Sequence, residues 1–165
     1  MATILKNLSD YDFNKIPTLN GKSVGIIISE WNYEITGSMA DAAIDTLQKQ
    51  GFERSNILIH HVPGSFELPL GAQLLLENSD VNAVICIGCV IQGETRHFDF
   101  ICQAVSQKLM ELNTEFSVPV IFGVLTTNTQ QQAIDRAGGK HGNKGIEAAV
   151  AAIKMIHLQD TLENQ

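Results

Sequence analysis

The chain is 165 residues long, 44% hydrophobic and 18% charged, with a formal net charge of −7. That length can bury a full core without disulfides or metal, and the acidic excess argues against a surface built for nucleic acid or anionic membrane, which needs a basic field. With no charged-then-apolar amino terminus and no long unbroken apolar run, neither a signal peptide nor a spanning helix is expected, and the cytoplasm is the expected location.

Residues 1–22 read as a polar, extended arm, unsuited to the core, that can add a strand to a sheet edge, its own or a neighbour's. Val-Gly-Ile-Ile-Ile at 24–28 is a strand, and 37–50 a helix with Met39, Ala42, Ala43 and Leu47 apolar. The next strand, 56–62, is stopped by Pro63-Gly64, and 67–78 is a helix that tolerates Pro69 in its first turn. Residues 81–91 are almost continuously apolar, as in a strand covered on both faces of a parallel sheet. The segment 98–112 is an amphipathic helix with Phe98, Ile101, Cys102, Val105, Leu109 and Leu112 apolar. A fourth strand at 118–125 precedes two helices, 129–137 and 143–162, separated by Gly138-Gly139-Lys140-His141-Gly142.

Strand and helix alternate throughout, so right-handed crossovers place helices on both faces of a four-stranded parallel sheet, in one domain over residues 1–165. Cys86 and Cys89 mimic a Cys-x-x-Cys pair, but residues three apart on a strand face opposite ways, which spoils shared metal ligation. Together with Cys102 they read as small core hydrophobes. No group of residues has metal-ligand spacing, and nothing in the chain demands a cofactor.

In a parallel sheet the segments that follow the strands gather at one edge, where ligands bind. Glu30-Trp31-Asn32 follows the first strand, and Pro63-Gly64-Ser65-Phe66-Glu67 the second. Gly93-Glu94-Thr95-Arg96-His97 follows the third, and Thr126-Thr127-Asn128-Thr129 the fourth. Trp31 serves either as a packing aromatic or as a ligand platform. Ser65 and Glu67 suit helix-start chemistry as well as a ligand, Phe66 and Phe122 suit packing, and Thr126 to Thr129 suit a helix cap. His97 stands at a strand-to-helix turn beside Glu94, Thr95 and Arg96, where an imidazole can both give and take a proton. Arg136, Lys140 and Lys144 lie among four glycines between residues 136 and 145, a loop that either meets a phosphate or is a flexible, solvated turn. It is not a phosphate-binding Walker loop, because the spacing and the preceding strand are missing.

Trp31-Asn32, Val62-Pro63-Gly64-Ser65-Phe66-Glu67-Leu68-Pro69, the stretch 88–98, Phe122-Gly123-Val124-Leu125-Thr126-Thr127, Arg136-Ala137-Gly138 and Gly142-Asn143-Lys144-Gly145 together resemble the 6,7-dimethyl-8-ribityllumazine synthase family. The likeness runs in order from about Val24 to Ile156. It implies a flavodoxin-like three-layer α/β/α fold and the penultimate step of riboflavin biosynthesis, without metal or organic cofactor. That step condenses 5-amino-6-(D-ribitylamino)uracil with 3,4-dihydroxy-2-butanone 4-phosphate. By the same likeness Trp31 stacks on the pyrimidine, with Asn32 beside it. Ser65, Phe66 and Glu67 hold the ribityl chain and ring edge, Cys89, Val90 and Ile91 offer backbone groups, and Phe122 closes the ring pocket. Glu94, Thr95 and Arg136 take the phosphate, His97 is the general acid/base, and Lys144 is a nearby cation.

The resemblance further implies a homo-oligomer, a pentamer in which a neighbour supplies Phe122 and Arg136. The short turn at 138–143 is similar to that of relatives whose twelve pentamers close into a sixty-subunit icosahedral shell, with a riboflavin synthase as a possible enclosed or associated partner. Two departures stand out: Gln92 occupies a position where many members carry arginine, and Trp31 one where phenylalanine is common. Two other readings use the same pocket. A flavin- or lumazine-binding protein would need neither His97 nor Arg136, and an archaeal-type riboflavin synthase would not need the phosphate anchor.

Overall fold

A computed structural model describes residues 7 and 9–164. The portion of the arm at 1–6, and residue 8, lie outside the described residues. Strands β1 (Val24–Ser29), β2 (Ile57–Val62), β3 (Ala83–Ile91) and β4 (Val120–Thr127) form one parallel sheet in the order β2-β1-β3-β4. Helices α1 (Tyr33–Lys49), α2 (Leu68–Asn78), α3 (His97–Phe116), α4 (Gln130–Arg136) and α5 (Lys144–Glu163) connect and flank it. The architecture is the flavodoxin-like three-layer sandwich.

Side-chain alternation along each strand separates two cores. Val24, Ile26 and Ile28 of β1 and Ile85, Ile87 and Cys89 of β3 pack with α1, α4 and α5. Ile27, Val84 and Cys86 turn the other way, toward α2 and α3. Cys86 and Cys89 therefore lie on opposite faces of the sheet, and Cys102 is half-buried; all three thiols are free. Burial pushes the Cys89 thiol up to about 11 and that of Cys86 higher still, because a thiolate in apolar surroundings loses its hydration.

The helix starts differ from the sequence expectation in informative ways. The first helix begins at Tyr33 rather than residue 37 because Asn32 takes a left-handed conformation, φ 61°, that ends the loop early. Ser65 does not cap α2: it opens a short 3-10 turn, Ser65–Glu67, whose cap residue is Gly64. The expected cap after β4 does form, with Thr129 accepting the Gln132 N–H at 3.2 Å.

One expectation fails. The arm is not excluded from the core, since Ile16 and Leu19 are buried in the larger of the two apolar clusters. Two apolar residues suffice for this because the Leu19 N–H bonds the Gln50 carbonyl at 2.9 Å, which fastens the arm to the end of α1. The segment between the last two helices, for which a phosphate-meeting loop and a flexible turn were both open, has regular structure. It folds as an antiparallel ribbon of β5 (Ala137–Gly139) and β6 (Gly142–Asn143), with Gly138 and Gly142 supplying the positive φ values the tight reversal requires.

Candidate active site

The strand order changes direction between β1 and β3, the crevice where open α/β sheets take ligands. Here the crevice is built by a mismatch in length. Ile28 of β1 pairs with Ile87, so residues 88–91 of β3 continue past the last paired residue of β1. The Asn32 side-chain amide donates to the Cys89 carbonyl at 3.1 Å, filling part of the missing strand edge and tying the first loop to β3. That loop is pinned twice more, by the Trp31 N–H to the Pro63 carbonyl (3.1 Å) and by the Ser29 hydroxyl to the Trp31 carbonyl (3.1 Å).

The resulting cleft encloses about 440 Å³ and is lined by Trp31, Asn32, Gly64 to Glu67, Cys89 to Ile91, His97 and Ile101. Trp31 is 72% exposed and Phe66 57%, so two large aromatic faces stand open to solvent at the mouth instead of packing in the core. Ser65 is the opposite case. Its Oγ is buried with no hydrogen-bond partner among the described residues, and a Cβ at Gly88 would sit 2.6 Å from it, so the glycine makes room for the hydroxyl. An unpaired buried hydroxyl costs stability and marks a position for a polar group from elsewhere. His97 is the first residue of α3 and exposed, its N–H directed at Thr95 Oγ1 at 3.4 Å. Glu94 and Thr95 stand exposed on the preceding turn.

Arg136 and Lys144 lie in a different cleft, of about 480 Å³, at the end of β4 and beside α4 and α5. The Arg136 guanidinium donates to the Glu147 carboxylate at 2.5 Å and to the His141 carbonyl at 2.7 Å. Lys144 reaches the other Glu147 oxygen at 3.3 Å, and Lys140 pairs with Asp135 at 3.1 Å. Three lysine and arginine cations thus face two carboxylates, a formal surplus of one positive charge among these five groups. The Asp135 carboxyl is held below its ordinary range, chiefly by the hydrogen bond from the Gln131 side chain and then by Lys140. At the same strand end Thr127 Oγ1 is buried without a partner among the described residues.

Residues 21–160 match the family model for 6,7-dimethyl-8-ribityllumazine synthase. The chain is 51% identical to the 6,7-dimethyl-8-ribityllumazine synthase of Phocaeicola vulgatus over 99% of its own length and 97% of that protein's. It is 56% identical to the protein of that name from Cytophaga hutchinsonii, covering 94% of this chain and 98% of the relative. The corresponding figures for the Porphyromonas gingivalis protein are 54%, 96% and 99%. The chain belongs to the 6,7-dimethyl-8-ribityllumazine synthase family.

Of the residues nominated by the likeness to this synthase family, the fold brings Trp31, Asn32, Ser65, Phe66, Glu67, Cys89, Val90, Ile91 and His97 to one cleft. Arg136 and Lys144 line the second cleft. Phe122 lines neither; it projects, 37% exposed, from β4 at the sheet edge. Glu147 escaped the sequence reading although it grips both cations. Its signal was present, because Lys144 and Glu147 are three apart at the start of a helix and so share a face.

Proposed function

We infer that this chain catalyses the condensation of 5-amino-6-(D-ribitylamino)uracil with 3,4-dihydroxy-2-butanone 4-phosphate to 6,7-dimethyl-8-ribityllumazine, phosphate and water, a step of riboflavin biosynthesis. The near-full-length match to proteins bearing the synthase name carries this reading, and the switch-point cleft with its open aromatic faces and histidine supports it. Trp31 stacks on the pyrimidine with Asn32 beneath it. The overhanging Cys89, Val90 and Ile91 backbone meets the ring edge, while Ser65, Phe66 and Glu67 hold the ribityl chain, the Ser65 hydroxyl gaining its missing partner. Glu94 and Thr95 receive the phosphate on the turn before α3.

His97 then serves the linked proton transfers of amine addition, phosphate loss, ring closure and dehydration. General acid/base catalysis of this kind contributes about 10²–10⁴-fold. Holding two substrates in register supplies much of the rest, since oriented pairs reach effective molarities of about 10⁵–10⁸ M. Mixing the two substrates with the protein should produce the absorbance and fluorescence of the lumazine. Absence of product from folded protein would sink the assignment.

The separation of Arg136 and Lys144 from His97 within one chain supports a shared site, with the neighbour's copies of Arg136, Lys144 and Phe122 completing the cleft in a pentamer. Twelve pentamers then close into a sixty-subunit shell, with a riboflavin synthase as the associated partner. Inactive His97→Ala and Arg136→Ala chains refolded together should regain activity, because some interfaces then hold two intact halves. No recovery would mean that each chain works alone. Sedimentation showing only pentamer in dilute neutral buffer would remove the shell.

A further inference from the structure

The amino-terminal arm lies directly on the ribbon that borders the cationic cleft. Ser9 Oγ accepts the Asn143 N–H at 2.6 Å and donates to the Asn143 carbonyl at 2.9 Å, so one hydroxyl closes both backbone groups of the last residue of β6. Asn143 is buried and acts as a junction. Its Oδ1 caps α5 by accepting the Gly145 N–H at 2.8 Å, and its Nδ2 donates to the Ser38 carbonyl at 3.2 Å. The adjoining Gly142 has φ +86°, and a Cβ there would strike Asn7 Oδ1 and Ser9 Oγ, which shows how closely the arm is seated.

At its other end the ribbon is held by Arg136, which donates to the His141 carbonyl at 2.7 Å. A continuous series of hydrogen bonds and two residues of backbone therefore runs from Ser9 to the guanidinium. Tyr11 continues the contact, packing on the α1/α5 core with the Lys154 ammonium 5.7 Å from its ring centroid. Its hydroxyl senses the same cleft: burial and the Glu147 carboxylate raise its pKa while Arg136 lowers it.

We propose that Ser9 is a positioning residue for the cationic cleft, its bridge across Asn143 holding the ribbon, and through the His141 carbonyl the Arg136 guanidinium, in the orientation that receives the substrate phosphate. Ser9 itself does not line the cleft. The proposal rests on the assignment of Arg136 to the phosphate. A guanidinium binds phosphate through a planar fork, so a small rotation of its support weakens both bonds together. Removing the Ser9 hydroxyl also strands two backbone groups of a buried residue, which loosens the ribbon locally.

The test compares full-length Ser9→Ala, Ser9→Thr and Arg136→Ala by steady-state kinetics with each substrate varied, and by amide hydrogen exchange. Ser9→Ala should raise the KM for the butanone phosphate about tenfold while leaving that for the pyrimidine within about twofold. Exchange should quicken at residues 137–143, and Ser9→Thr, which keeps the hydroxyl, should restore both measurements. Unchanged exchange across the ribbon would overturn the proposal, as would equal rises in both KM values. Should Ser9→Ala fail to fold, Gly142→Ala, which lifts the arm from the ribbon, must give the same split between substrates. If Arg136→Ala leaves the butanone phosphate KM unmoved, the phosphate assignment falls and the proposal with it. If Arg136→Ala raises that KM and Ser9→Ala does not, only the positioning role falls.

Discussion

The two clefts at the strand ends are built on opposite electrostatic plans. Around Trp31 and His97 the aromatic faces, the imidazole and the turn carboxylate stand open, and the one buried hydroxyl is unpaired. Around Arg136 every cation already has a carboxylate, and the Arg136–Glu147 pair is 12% exposed on each side. The proposed roles suit this contrast: a site that moves protons needs groups free to change partners, whereas one that holds a dianion benefits from a fixed guanidinium. Pairing with Glu147 fixes the Arg136 geometry, and the formal surplus of one positive charge would keep an attraction for an anion.

The comparison is broken most sharply at His97. In His97→Ala, kcat should fall by about 10²–10⁴-fold while the dissociation constant of the pyrimidine changes by less than about threefold. Unchanged turnover would remove the acid/base role and leave the open cleft as a binding surface only. Arg136→Ala should do the reverse. It should raise the KM for the butanone phosphate about 10–100-fold, the loss expected for a charge-assisted bond worth about 1.5–3 kcal/mol, with the pyrimidine KM little changed. Parallel rises in both constants would contradict a division of labour between the clefts.

Ser65→Ala separates ligand chemistry from stability inside the open cleft. Because the hydroxyl is buried and unpartnered, its removal should leave the urea midpoint unchanged or raise it. Pyrimidine affinity should fall about two- to tenfold, the span of one neutral hydrogen bond. A clear loss of stability would show that the hydroxyl already has a partner. A separate, pH-dependent effect concerns Cys89, which lines that cleft. Its thiol is pushed from 9.0 to about 11 by burial, so between those values the native state binds more protons than the unfolded chain, and stability declines as pH rises. The contribution is complete below about pH 9. Urea titrations from pH 8 to 11 should show a decline that is shallower by about 1–2 kcal/mol in Cys89→Ala, and identical slopes would exclude it.

Much of the framework was legible because its signals are local. The apolar run of β3, the Pro63-Gly64 stop and the 3.6-residue spacing of α3 each act within a few residues. The open cleft was legible for a related reason, since parallel topology alone sends the segments after the strands to one edge. Glu147 was missed because its importance comes from Arg136, eleven residues away across the ribbon. Ile16 and Leu19 were missed because two apolar residues in a polar stretch carry no periodicity, and the cluster that buries them is assembled from residues distant in the chain.

By itself the sequence determined the order of strands and helices, the strand faces on which Cys86 and Cys89 lie, and the gathering of the segments after the strands at one edge of the sheet. All of these follow from residue spacing and chain direction. Only the tertiary structure decided that Ser65 keeps an unpaired buried hydroxyl, that the glycine-rich segment is a ribbon fastened by Ser9, and that Arg136 and Lys144 share Glu147 in a cleft apart from His97. Those outcomes depend on which distant segments come within hydrogen-bonding reach, and a separation of 134 residues between Ser9 and Asn143 leaves no trace in any local pattern.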